Sequence, residues 1–305
     1  MNHLPLLVRR EFWEHRAFLI APAVVAAFLV LGAFFAGIFG DVHIDELRQG
    51  LMSHPDLANK APKALAAALG TVTFPFVIVM GVVIVFYLLD SLYADRRDRT
   101  VLFWKSLPVS DQETVLSKLA TAAVALPALI FVGALLTSIV VALIASVRLS
   151  WEVGSEILPL VWNPGVWFPA IVLLAYMLVA AVLWYLPIFG WLLLVSASAG
   201  RAVMLWAALP PLGLMFLEEM IFDTGHFANL LVDRFVGWTD VALSSSANGE
   251  HTMTIDGERI PFSSHLGDIL SPAAYFTSTG LWLGLIVAGG LIWATVLVRR
   301  HRSEV

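Results

Sequence analysis

The chain has 305 residues, 59% of them apolar and 13% charged, with a net charge of −5 and a mean hydropathy of +0.85. Soluble domains sit nearer ~45–50% apolar and about 25% charged; a water-soluble enzyme is therefore excluded, because no soluble core of this size absorbs so much apolar surface. No region is strongly basic, which sets nucleic-acid partners aside, and the lack of cysteine removes disulfide scaffolds, thiolate metal sites and cysteine catalysis.

A membrane-crossing helix needs about 20 apolar residues, each rising ~1.5 Å. Stretches free of Asp, Glu, Lys and Arg run over Ala17–Gly40, Ala64–Leu89, Leu119–Val147, Ile157–Gly200, Ala202–Leu217 and Ile269–Val298. They predict an all-α integral membrane protein, a single transmembrane domain over 1–305. Its six spans are expected at about 17–40, 70–90, 117–147, 167–195, 202–222 and 273–298. The fourth stretch is long enough for two passes, but Asn163-Pro164-Gly165 breaks it near its start, so one span is expected, bent at Pro187. The first is too long for a cleaved signal segment and has no small-residue cleavage site.

Ahead of the first span, Leu4–Phe18 mixes Leu7, Phe12 and Phe18 with Arg9, Arg10, Glu11, Glu14 and Arg16, the pattern of an amphipathic helix lying in the interface. Six spans put both termini on one side. Twelve of the 18 Lys and Arg residues fall on that side and 15 of the 23 acidic residues on the other, so the termini and the 91–110 segment are expected in the cytoplasm.

Within 91–110, the charged run Tyr93–Arg99 leads into apolar Val101-Leu102-Phe103-Trp104, Leu107-Pro108 stops that piece, and Ser110-x-x-Glu113 has capping-box spacing. The third helix should therefore begin at Asp111, before the membrane. An apolar tetrad containing Trp between arginines suits a docking surface; a plain interfacial aromatic belt is the bland alternative. On the other side, 223–272 is long and acidic. Phe227, Leu230, Leu231 and Phe235 predict a helix on the membrane surface, 252–260 a hairpin turning at Asp256-Gly257, and Ser271-Pro272 the cap and first residue of the last span.

Catalytic chemistry is looked for and not found. There is no phosphate-binding Gly-x-x-x-x-Gly-Lys motif, and the loop histidines lack the i, i+4 spacing of a zinc site, so neither catalytic residues nor a metal site are assigned. Glu218-Glu219 invites comparison with intramembrane proteases that carry Glu-Glu-x-x-x-Arg, but Asp223 stands where the arginine should be. The two glutamates, with Asp90 at the end of the second span, are kept as candidates for a translocation path; Arg96 or Arg97 is the ordinary partner expected for Asp90. Gly280, Gly284 and Ala288 line one face of the last span and permit close helix approach, to a helix of this chain or of a second subunit.

The run Asp95-Arg96-Arg97-Asp98-Arg99-Thr100-Val101-Leu102-Phe103-Trp104-Lys105-Ser106-Leu107-Pro108-Val109-Ser110 resembles the segment between the second and third spans of bacterial ABC-2 type permeases. In those proteins an acidic residue, paired arginines, a Thr or Ser, a Phe and a Leu-Pro-x-Ser recur in that order. The overall plan is similar too. The resemblance implies a coupling segment that docks on a separate ATPase through Arg96, Arg97, Arg99, Leu102, Phe103, Trp104, Lys105 and Pro108. It further implies ATP and magnesium on that partner and no cofactor in this chain, a second permease subunit, surrounding membrane lipid, residence in a bacterial cytoplasmic membrane, and export as the direction. The competing readings are an intramembrane protease-like enzyme and a non-transporting membrane anchor or immunity protein.

Overall fold

The computed structural model describes residues 4–39, 55–98, 109–152, 154–243 and 270–301. Among these the chain is helical throughout, with no strand and a single antiparallel bridge between Leu243 and Leu270. Six helices are long and apolar enough to cross a membrane: this is an all-α, multi-pass membrane protein.

The chain opens with α1 (Leu4–Glu14), breaks at His15-Arg16, and enters the membrane as α2 (Ala17–Phe39). The long α3 (Pro55–Arg97) returns, running past both ends of the expected 70–90 span. Ser110 then caps α4 (Asp111–Ala120): its hydroxyl accepts from the Glu113 amide at 3.1 Å, while the Glu113 carboxylate accepts from the Ser110 amide at 2.9 Å. This reciprocal box satisfies two orphan donors at once. A π-turn (Thr121–Ala125) links α4 to α5 (Leu126–Glu152). The Leu126 amide reaches back to the Thr121 carbonyl, and the next residue, Pro127, has no N–H to keep the tighter ladder.

A short 3-10 turn and α6 (Leu158–Val161) lead to α7 (Pro164–Ser198). Here the Asn163 side chain accepts from the Gly165 amide at 2.8 Å, so the break read in the sequence is a helix cap. The fifth span is α8 (Val203–Phe222), followed by α9 (His226–Phe235), α10 (Trp238–Ala242), α11 (Pro272–Thr277) and α12 (Thr279–His301).

One expectation fails in the last span. It does not begin at 273 as one helix: Ser278 is extended (φ −66°, ψ 129°) and separates α11 from α12. Ser271 and Pro272 do take the N-cap and first positions of α11, but the Ser271 hydroxyl makes no capping bond: it donates to the Val241 carbonyl at 3.2 Å and ties α11 to α10. The hairpin expected at 252–260 lies outside the described residues.

The core runs between α2, α3, α5, α7 and α12, where Phe18, Phe76, Met80, Leu88, Leu126 and Leu193 are fully buried. Gly133 leaves space for the Phe76 ring, whose Cε1 would lie 2.9 Å from an added Cβ. Large apolar side chains elsewhere point outward along every span, as expected of helices whose solvent is hydrocarbon. A second, smaller cluster joins Ala180 and Trp184 of α7 to Tyr275 of α11, Ala242 of α10 and Leu281 of α12.

Candidate functional site

The most polar part of the interior lies where the termini meet the bundle. Glu11 of α1 is 2% exposed, Lys118 of α4 2% and Arg299 of α12 9%. A charge buried to this degree is tolerated only when paired, and each of these is. The Lys118 ammonium lies 3.2 Å from the Glu11 carboxylate and 3.5 Å from that of Asp95. Arg299 reaches Asp95 at 3.3 Å through Nη1 and Asp111 at 3.0 Å through Nε. The Tyr87 hydroxyl donates to the other Glu11 oxygen at 2.9 Å. His15 sits 3.8 Å from Glu11, stacks on Phe18 and meets Tyr87 edge-on. Three carboxylates and two cations thus join the N-terminal helix, the end of α3, the start of α4 and the end of α12.

Arg96 closes a second contact alongside. Its Nη2 donates to the carbonyls of Ser196 and Ala199, 2.7 Å each, satisfying acceptors left over at the end of α7. Ser196, fully buried, accepts from the Leu92 and Tyr93 amides through its hydroxyl, 3.1 Å each. The Arg96 guanidinium, expected at the ATPase contact, is thus engaged within the chain through Nη2. Arg97 is exposed and pairs with Asp98 at 2.9 Å, and that hydrogen bond holds the Asp98 carboxyl below its usual range. Arg99, Leu102, Phe103, Trp104, Lys105 and Pro108 lie outside the described residues. The described chain fixes both flanks of their segment, through Asp95 and Arg96 before it and through the Ser110 cap and Asp111 after it.

The remaining sequence candidates fall in different places. Asp90 is exposed and forms no hydrogen bond or ion pair among the described residues, though its charge acts on Arg97, one of the two expected partners. It lines a shallow apolar crevice with Phe18, Phe86 and Met204. Glu218 works as a cap: its carboxylate accepts from the amides of His226 (2.9 Å) and Phe227 (2.7 Å) and from the Thr224 hydroxyl (3.0 Å), so it starts α9, where a negative charge is favoured. Glu219 is exposed beside it. Gly280, Gly284 and Ala288 do face neighbours, and those neighbours belong to this chain. An added Cβ on Gly280 would touch Trp184, one on Gly284 would strike the Arg234 guanidinium, and Ala288 lies against Gly190.

Sequence reasoning missed Glu11, Tyr87, Asp95, Asp111 and Arg299 as a unit and counted Lys118 only among the charges that orient the chain. A single cation directly ahead of 29 charge-free residues is the signal that marks it. No family model matches the chain, and comparison with curated proteins and with solved structures gives no match.

Proposed function

We propose that this chain is the permease subunit of an ATP-driven transporter of the ABC-2 type, an exporter. In this reading it pairs with a second permease subunit in a bacterial cytoplasmic membrane and is driven by separate ATPase subunits carrying ATP and magnesium. The observation that carries the proposal is the anchoring of the chain on either side of residues 99–108. The sequence of those residues resembles a coupling segment, and its two flanks are tied through Asp95, Arg96 and Asp111 to α4, α7 and α12. A segment that transmits movement must be stiff at its ends, or force applied to it is lost in local bending. The termini and this segment then face the cytoplasm, in agreement with the Lys and Arg distribution. Glu218 and Glu219 lie on the opposite side, with Glu218 serving α9.

The test is assembly with the ATPase. Trp104→Ala and Leu102→Asp are expected to leave the protein in the membrane and to weaken ATPase binding by about 2 kcal/mol or more, the size of an interface hot spot. An ATPase that co-purifies with both variants as it does with the native chain, with unchanged turnover, sinks the assignment. A bound ATPase whose turnover never depends on this chain favours the anchor reading.

A further inference from the structure

A cavity lies at the other end of the molecule, away from the charged network. It measures about 910 Å³ and opens between α7, α8, α9 and α12, within the range of roughly 300–1,000 Å³ typical of ligand sites. Its walls are mainly apolar, with Trp191, Leu214, Leu231 and Val287 among them, and Arg234 lies in the lining.

Arg234 is the unusual member. Its guanidinium sits 4.7 Å over the Trp184 ring and donates to two backbone carbonyls, Trp184 at 3.3 Å and Gly280 at 3.0 Å. No carboxylate pairs with it among the described residues. Gly284 leaves the space it occupies, since a Cβ there would lie 2.5 Å from Nη2. Gly280, to which Arg234 donates, is the second residue of α12, so Arg234 lies at the mouth of the spans, at the level of a lipid headgroup rather than of the hydrocarbon centre. A second donor adds to it. The Trp184 indole N–H is buried, on a side chain 6% exposed, and has no partner among the described residues. The two carboxylates in the lining, Asp233 and Asp240, are both exposed, where water screens them.

We infer that this cavity binds a membrane lipid with an anionic headgroup, its phosphate at Arg234 and an acyl chain along the apolar wall. The charge selects the class: a half-buried cation without a carboxylate favours an anion, and the apolar walls favour a molecule with a hydrocarbon tail. The site stands independently of the transport reading.

The experiment is native mass spectrometry of the purified full-length protein, delipidated and then titrated with phosphatidylglycerol or phosphatidylcholine. The native chain is expected to hold one phosphatidylglycerol with at least a tenfold preference over phosphatidylcholine. Arg234→Gln should reduce that preference at least fivefold, and Arg234→Lys should keep most of it. Leu231→Trp, which fills the cavity and leaves the charge, should lose the lipid. Equal retention of both lipids by the native chain, or an undiminished preference in Arg234→Gln, overturns the proposal. So does displacement of the lipid by glycerol phosphate alone, which would remove the cavity from the recognition. Unaltered binding in Leu231→Trp would leave the cavity to another occupant, a segment of this chain or a second copy, and also overturns it. If Arg234→Gln does not fold, the lysine and tryptophan variants decide between these outcomes.

Discussion

Lys118 begins a span yet touches no lipid. Its ammonium is enclosed by Glu11 and Asp95, and its side chain is 3% exposed. Removing one member of a buried pair strands the other, at a cost of about 3–5 kcal/mol, while replacing the set by apolar groups of similar volume is often close to neutral. Lys118→Met is therefore expected to lower thermal stability in detergent by an amount in that range, and adding Glu11→Gln should recover part of it. A single variant that melts with the native protein would show that water reaches these groups. The sequence conveys the charges but not their meeting. Glu11 and Lys118 are 107 positions apart and Asp95 and Arg299 204 apart, so no local period can reveal that they converge. Charge counting also treats a buried lysine and an interfacial one alike, which is why Lys118 and Arg299 read as orienting charges. Glu218 is the same lesson at shorter range: beside Glu219 it resembles half of a paired-carboxylate site, and only its contacts with the amides of residues 226 and 227 identify a helix cap.

At the scale of elements, charge-free length alone locates all six spans, because a hydrocarbon-crossing helix has no other composition open to it. The capping box at Ser110 and the Asn163-Pro164-Gly165 break were equally legible, since both are local stereochemistry. The end of the chain was not. Ser278 carries no breaker chemistry, and α11 and α12 separate there because Tyr275 packs under α7, its hydroxyl donating to the Ala180 carbonyl at 2.6 Å. The small-residue face of α12 was visible as a pattern, but its partner was not. Gly190 on α7 supplies the other half, with Leu291 Cβ 3.1 Å and the Ala288 carbonyl 3.4 Å from where its own Cβ would be. One of those neighbours is backbone and cannot swing away. Gly190→Ala is thus expected to cost about 1–3 kcal/mol by overpacking, read as a lowered melting temperature. Gly284→Ala meets the far end of a long side chain, Arg234, which can shift by giving up its hydrogen bonds where backbone cannot, and should cost less. The reverse order would mean that the two helices are not held by close backbone approach.

The whole molecule is polar at one end and apolar along its flanks, and the two ends are joined by long helices. α12 connects them directly: Arg299 anchors it to Asp95 and Asp111, and about 28 Å away at 1.5 Å per residue Gly280 holds Arg234 of α9. Packed helices shift as bodies rather than bend continuously. A displacement of residues 99–108 would therefore reach the far side through α12 only while Arg299 links it to both flanks of that segment. In the transporter reading, Arg299→Gln should still enter the membrane and still bind the ATPase, because the segment's own surface is unchanged. What it should lose is communication: stimulation of ATP hydrolysis by this chain is expected to fall several-fold in reconstituted vesicles, with Arg299→Lys intermediate, since a lysine keeps the charge but lacks the planar guanidinium whose Nε and Nη1 reach Asp111 and Asp95 separately. Parallel melting curves separate this from general unfolding, which would remove ATPase binding as well. Full stimulation in Arg299→Gln at native stability would mean that movement travels by another route, and α3, which carries both Asp95 and Arg96, is then the helix to test.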